Sequence, residues 1–344
     1  MSSGAECVNG AGERRRDTDA RKGGSLFWRV FFGVVVLLGL AWLVANRSEG
    51  AEFLAILQNA QPWWLLVAAA LQVFTYPVDG IVWQRVLARL PSERNLRIGT
   101  VTRLALAKFF VDQFVPGGGV GGTVLVMRSM EKRGVSRDGS MVGLLARLVS
   151  YYFAYAVALA AAVGIAWWVA DKVPRVILGA ASGLALIFLL VPGLLLWGLR
   201  HRERRLPQYL LRTRLLKKAR PTIDSMTRVA PAVGRDRGML LESTAWQFVI
   251  FVLDGATLWA MLHAVGIEAS LPVAYASFLL GFLAGSLGFV PAGVGIFEAG
   301  TVASLTLLGV PGPAALTATL LFRGFSLWLP LAPGAFYARR ESWR

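Results

Sequence analysis

Seven ionisable residues stand in or near stretches of this sequence that are otherwise apolar: Asp79, Lys108, Asp112, Arg147, Asp254, Glu298 and Arg323. A charge at the centre of a bilayer costs about 2.5–3.5 kcal/mol on insertion scales, so such residues normally face a cavity or a partner rather than lipid. Arg147 and Arg323 could present two guanidinium groups to one phosphate, which each can bind through paired hydrogen bonds. Asp79, Asp254 and Glu298 are their expected internal counter-ions, able to balance charge or carry protons. Read without a ligand, the same residues are salt bridges tying helices together. Cys7 is the only cysteine, and His201 and His263 lie far apart. No metal ligand set, Ser-His-Asp triad or disulfide framework is therefore expected, and neither a cofactor nor enzymatic activity is anticipated.

Two stretches would position these charges. Phe289-Val290-Pro291-Ala292-Gly293-Val294-Gly295-Ile296-Phe297-Glu298 sets helix breakers and a carboxylate inside apolar sequence, and Phe114-Val115-Pro116-Gly117-Gly118-Gly119-Val120-Gly121 has the same opening and a similar glycine run. Non-helical backbone is tolerated at membrane depth only where it is buried in protein or lines a cavity, because lipid offers no hydrogen bonds. Gly117, Gly119 and Gly122 also fit a G-x-G-x-x-G spacing, but a dinucleotide site needs a strand before the glycines and a βαβ unit around them. The apolar helical setting excludes it.

The composition agrees with a polytopic membrane protein. The 344 residues are 56% hydrophobic and 16% charged, with a mean hydropathy of +0.56. The net charge of +16 comes from lysines and arginines in short loops between apolar runs, the positive-inside pattern. No aromatic-basic array points to nucleic acid.

Charge bias orders the chain. Residues 1–25 read as a disordered basic cytoplasmic tail, and 26–62 as a first transmembrane helix and outer loop. Residues 63–170 form a first repeat with a re-entrant hairpin near Thr100 to Met127, and 171–199 a linking transmembrane helix. Residues 200–237 are a basic cytoplasmic linker, with an amphipathic surface helix expected around Tyr209 to Lys218. Residues 238–338 form a second repeat with a hairpin from Leu271 to Leu308, and 339–344 a cytoplasmic tail. Trp63, Trp64, Trp83, Trp167, Trp168 and Trp197 read as anchors at the membrane interfaces.

The repeat is visible in the letters. Leu65-Leu66, Gln72 and Asp79-Gly80 recur as Leu240-Leu241, Gln247 and Asp254-Gly255, and Phe114-Val115-Pro116 recurs as Phe289-Val290-Pro291 at the same offset. Leu144-Leu145-Ala146-Arg147 and Ser150 recur one residue later as Leu320-Leu321-Phe322-Arg323 and Ser326. By charge, the first copy starts outside and the second inside, so the two hairpins open oppositely. Inverted repeats of this kind build transporters around one midplane site.

These residues resemble the transmembrane region of lysylphosphatidylglycerol synthases and the stand-alone flippase-like membrane proteins related to it. The resemblance runs from Trp63 to Tyr337. Its first signature is Pro116-Gly117-Gly118 with Gly121-Gly122, a following Arg128, and Arg147 in the next span. Its second is Pro291-x-Gly293-x-Gly295-x-x-Glu298, followed by Leu308-Gly309-Val310, Leu321-Phe322-Arg323 and Trp328-Leu329-Pro330. Many relatives have an acid where this chain has Thr123. The chain stops at Arg344, so no soluble aminoacyl-transfer domain is expected, and with it no aminoacylation of lipid.

The expectation is thus an all-α polytopic membrane protein with about six full transmembrane helices and two oppositely oriented re-entrant hairpins related by an inverted internal repeat. The resemblance implies movement of a phospholipid or polyprenyl-linked lipid between leaflets. Its headgroup is expected between the hairpin tips, among Pro116, Gly118, Gly121, Arg128, Arg147, Asp79, Asp254, Pro291, Gly293, Gly295, Glu298 and Arg323. A multi-pass protein of the inner or plasma membrane with both termini cytoplasmic is anticipated, and a homo-oligomer is compatible. The alternatives are a membrane enzyme or a scaffold subunit acting on lipid-linked envelope precursors.

Overall fold

Pro62 opens the first long helix at a position where its missing N–H leaves nothing unsatisfied, and the apolar run behind it carries α1 from Pro62 to Ala88. The computed structural model describes residues 58–90, 95–114, 120–169, 214–287 and 291–343, with a few isolated positions between 179 and 193. The expected first span, most of the linking span and the first glycine run with Pro116 and Gly118 lie outside the described residues.

After α1 come α2 (Ile98–Phe114), α3 (Val120–Glu131) and α4 (Arg137–Val169). Next are α5 (Arg214–Arg235), α6 (Arg237–Ala264) and α7 (Leu271–Leu287). A 3₁₀ turn (Pro291–Gly293) precedes α8 (Ile296–Leu307), and α9 (Gly312–Arg323) passes through a π turn (Gly324–Trp328) into α10 (Leu329–Trp343). Among the described residues every regular element is helical. Four stretches are long and apolar enough to cross a membrane: α1, α4, α6 and Gly312–Glu341.

The lengths recur in order. Helices of 27, 17, 12 and 33 residues are followed, after the 22-residue α5, by helices of 28, 17 and 12 and then the stretch Gly312–Trp343. At 1.5 Å per residue, the 17- and 12-residue helices reach about 26 and 18 Å, short of the roughly 30 Å hydrocarbon core.

The long helices α1 and α6 pack on each other along their length. The Gln61 amide before α1 donates to the carbonyl of Ala264 at the end of α6, at 2.8 Å. At the opposite end, Arg89 reaches Asp236 at 3.3 Å and Glu242 at 2.7 Å, where α6 begins. The two helices are therefore antiparallel. Exposed ion pairs of this kind add at most about 1 kcal/mol; here they report the register. The short helices are exchanged: α2 lies along α10, and α7 along α4.

One expectation from the sequence is corrected by the structure. Trp167 and Trp168 are exposed, the latter 85%, but Trp83 is only 2% exposed. It belongs to the core beside Leu87, Leu104 and Val126. Gly143 makes room for it: a Cβ there would meet the indole ring at 3.0 Å. Of the amphipathic helix expected around Tyr209 to Lys218, residues 209–213 lie outside the described residues; the described helix α5 runs on to Arg235, and its apolar residues Met226, Val229, Ala230 and Val233 pack on Met141 and Leu145 of α4.

Candidate functional site

Gln72 and Asp79 are seven residues apart on α1 and so share one face; Gln247 and Asp254 repeat that spacing on α6. The antiparallel register sets Gln72 opposite Asp254 and Asp79 opposite Gln247. A hydrogen bond joins the Gln72 and Asp254 side chains. All four residues line one cavity of about 400 Å³, together with Arg147, Arg323 and Gly293. Pro77 lies between Gln72 and Asp79 inside α1 and removes a rung of the backbone ladder there, while the Thr75 hydroxyl donates to the Gln72 carbonyl at 2.6 Å.

Arg147 of α4 is ion-paired with Asp79, and its guanidinium carbon lies 5.9 Å from the centre of the Trp83 ring. Lys108 and Asp112, four residues apart on α2, pair beside it. Asp112 also accepts a hydrogen bond from the Gly122 amide at 3.0 Å. A carboxylate thus occupies the first turn of α3, where the helix dipole and unsatisfied amides favour negative charge. Asp112 brings a carboxylate to that helix start from the preceding helix.

The second copy caps its short helix differently. Glu298 accepts from the Gly295 amide at 2.6 Å, closing the start of α8, and from Arg323 Nε at 2.6 Å. Arg323 Nη2 donates to the Ala292 carbonyl at 2.7 Å. Ala292 has φ +58°, an uncommon left-handed conformation for a residue with a Cβ, held here by the arginine. Gly293 and Gly295 have φ +61° and +85°, which glycine adopts freely. The Arg323 guanidinium lies 4.8 Å from the Phe297 ring, which stacks on Phe322. Pro330 and Pro333 supply no N–H to the ladder, and directly after Arg323 the helix widens into the π turn.

The structure therefore brings Asp79, Arg147, Asp254, Gly293 and Arg323 to one cavity, with Glu298 and Gly295 bonded behind Arg323. Pro291 opens the 3₁₀ turn beside them. Gly121 sits in the first turn of α3 away from the cavity lining, and Arg128 is exposed in its last turn, also away from it. Lys108 and Asp112 were legible as charges in apolar sequence but not as site residues; their spacing of four was the available signal. Gln72 and Gln247, visible only as markers of the repeat, line the cavity as well.

An all-helical polytopic membrane protein with a charged, aromatic-walled cavity between its long helices is the class these features define. A family model described as the lysylphosphatidylglycerol synthase TM region matches residues 30–334, and the chain belongs to that family. A search of curated proteins returned no match.

Proposed function

We propose that this protein is a flippase-like transporter that moves a lipid with a polar or anionic headgroup between membrane leaflets and performs no covalent chemistry. One observation carries the reading: a single cavity is lined by recurring residues of both sequence copies, and the copies' first long helices run antiparallel. In this reading the copies form an inverted repeat, and α2–α3 and α7–α8 are re-entrant hairpins entering from opposite sides. Both termini face the cytoplasm of the cell membrane. Arg147 and Arg323 hold the phosphate, each trading part of its carboxylate pairing for a phosphate oxygen. The aromatic wall of Tyr151, Phe278 and Phe282 receives the start of the acyl or polyprenyl chains.

The test is translocation of fluorescent phosphatidylglycerol in proteoliposomes, read by quenching of the outer leaflet. Arg147→Ala and Arg323→Ala should each lower the initial rate at least about tenfold, the equivalent of one lost charge-assisted hydrogen bond. An unchanged rate in both variants at equal protein content would remove these arginines from the mechanism.

A further inference from the structure

The charges around the cavity do not cancel. Arg147 pairs with Asp79, Lys108 with Asp112 and Arg323 with Glu298. Asp254 has no cation within salt-bridge distance among the described residues, although it recurs in sequence with the paired Asp79. One carboxylate is left over. Two amides beside it are also incompletely bonded: Gln72 Oε1 and Gln247 Nε2 have no hydrogen-bond partner, although Gln72 is 5% and Gln247 2% exposed. Both line the same cavity as Asp254. Buried polar atoms are normally satisfied, so these mark a place where something binds.

We propose that Asp254 binds one monovalent cation, a proton or an alkali metal ion, with the unpartnered Gln72 Oε1 of the same cavity as a further oxygen. The single unbalanced carboxylate sets the charge at one. A divalent ion usually takes more than one carboxylate, and Asp254 is the single one here that pairs with no cation; the Tyr76 hydroxyl, itself without a partner, lines the same cavity. The charged and titratable groups that line the cavity with Asp254 are accounted for element by element. On α1 they are Tyr76 and Asp79, and on α4 Tyr151 and Arg147. On α2 they are the Lys108–Asp112 pair, and at the end of α9 Arg323. The stretch of α7 along the cavity contributes Phe278, Phe282, Gly285 and Ser286, none of them charged. Binding stands independently of what the cavity transports; only the use of this cation to drive transport rests on the lipid-translocation reading.

The experiment is thermal unfolding of the purified full chain in detergent. One arm titrates NaCl and KCl against choline chloride at matched ionic strength, and the other titrates pH from acid to neutral in choline. An alkali-ion site raises the midpoint by about 3 °C at tenfold excess over its dissociation constant, with no response to choline. A proton site makes the midpoint follow pH and ignore sodium and potassium. Asp254→Asn should abolish the alkali-ion response or, for a proton site, flatten the part of the pH response that Asp254 contributes. Equal responses in the two proteins, or none in the wild type, overturn the proposal. Asp254→Glu, which keeps the carboxylate and moves it by one methylene, guards against a folding failure of the asparagine variant. It should respond with a displaced titration midpoint, and an undisplaced one is equally contrary. Because the readout is unfolding rather than transport, a failed cation response and a failed lipid assay are separable.

Discussion

Arg147 and Arg323 recur at matching places in the sequence, yet they hold different partners. Arg147 is paired with Asp79 of α1, whereas Arg323 is bonded to Glu298 and to the strained Ala292 carbonyl of the tip before α8. In the proposed mechanism each arginine trades part of this pairing for an oxygen of the lipid phosphate, so a change at either partner acts on the arginine it holds.

Breaking the Arg147–Asp79 pair from one side should be costly. Asp79→Asn leaves a guanidinium in a largely dry site and should destabilise the protein by about 3 kcal/mol, at the low end for a buried pair, because the side chains keep 19% and 15% of their surface. Asp79→Leu with Arg147→Leu should recover most of that stability without transport. Chemical unfolding of the wild type, Asp79→Asn and the double variant checks this; a double variant no more stable than Asp79→Asn contradicts it.

Gly122→Ala should disrupt the first tip. An added Cβ would fall 2.4 Å from Asp112 Oδ1 and 2.6 Å from the Lys108 carbonyl, driving α2 and α3 apart and removing the carboxylate from the helix start. The matched control is Gly99→Ala, whose Cβ meets nothing within 4 Å in the first turn of α2 and which should be neutral or stabilising by up to about 1 kcal/mol. Melting curves and translocation rates of the two variants should separate them.

At the second tip the cost is conformational. A Cβ at Gly295 meets nothing within 4 Å, yet φ is +85°, so Gly295→Ala should cost about 1–2 kcal/mol through backbone strain alone. Gly295→Asn, which tolerates the left-handed region better, should cost less. An alanine variant at least as stable as the asparagine one would show that the turn is not held as described.

Trp83→Ala should lower stability by about 3–5 kcal/mol, the cost of emptying a buried aromatic site, and should weaken Arg147 as a lipid ligand by removing the ring beneath it. Trp83→Phe should preserve most of both. A surface anchor would show neither effect.

Much of the fold was legible because its signals are strong and local. Apolar runs of more than twenty residues read as spans at α1, α4 and α6, and Pro-Gly stretches read as breaks. The repeat carried longer-range information: Gln72 and Asp79 recurring as Gln247 and Asp254 marked corresponding positions, which the structure places on one cavity between α1 and α6. Partner choice was not legible. Nothing in the letters says that Asp79 takes Arg147 while Asp254 takes no arginine, because that depends on side-chain reach across packed helices. Trp83 misled because proximity to the end of an apolar run cannot distinguish an interface from a pocket opened by Gly143, sixty residues away. Lys108 and Asp112 were seen singly; only the return of α3 toward α2 makes them a cap.

The central claim is that one cavity is reached from both sides of the membrane in turn. Ser326 lines it and differs from cysteine by one atom, and Cys7 is the only native thiol. In a Cys7→Ser background, Ser326→Cys should therefore be labelled by a membrane-impermeant thiol reagent applied to right-side-out vesicles and also by the same reagent applied to inside-out vesicles, each reaction slowed by added lipid substrate. Labelling confined to one side under every condition would mean a fixed invagination, and the transport mechanism would fall.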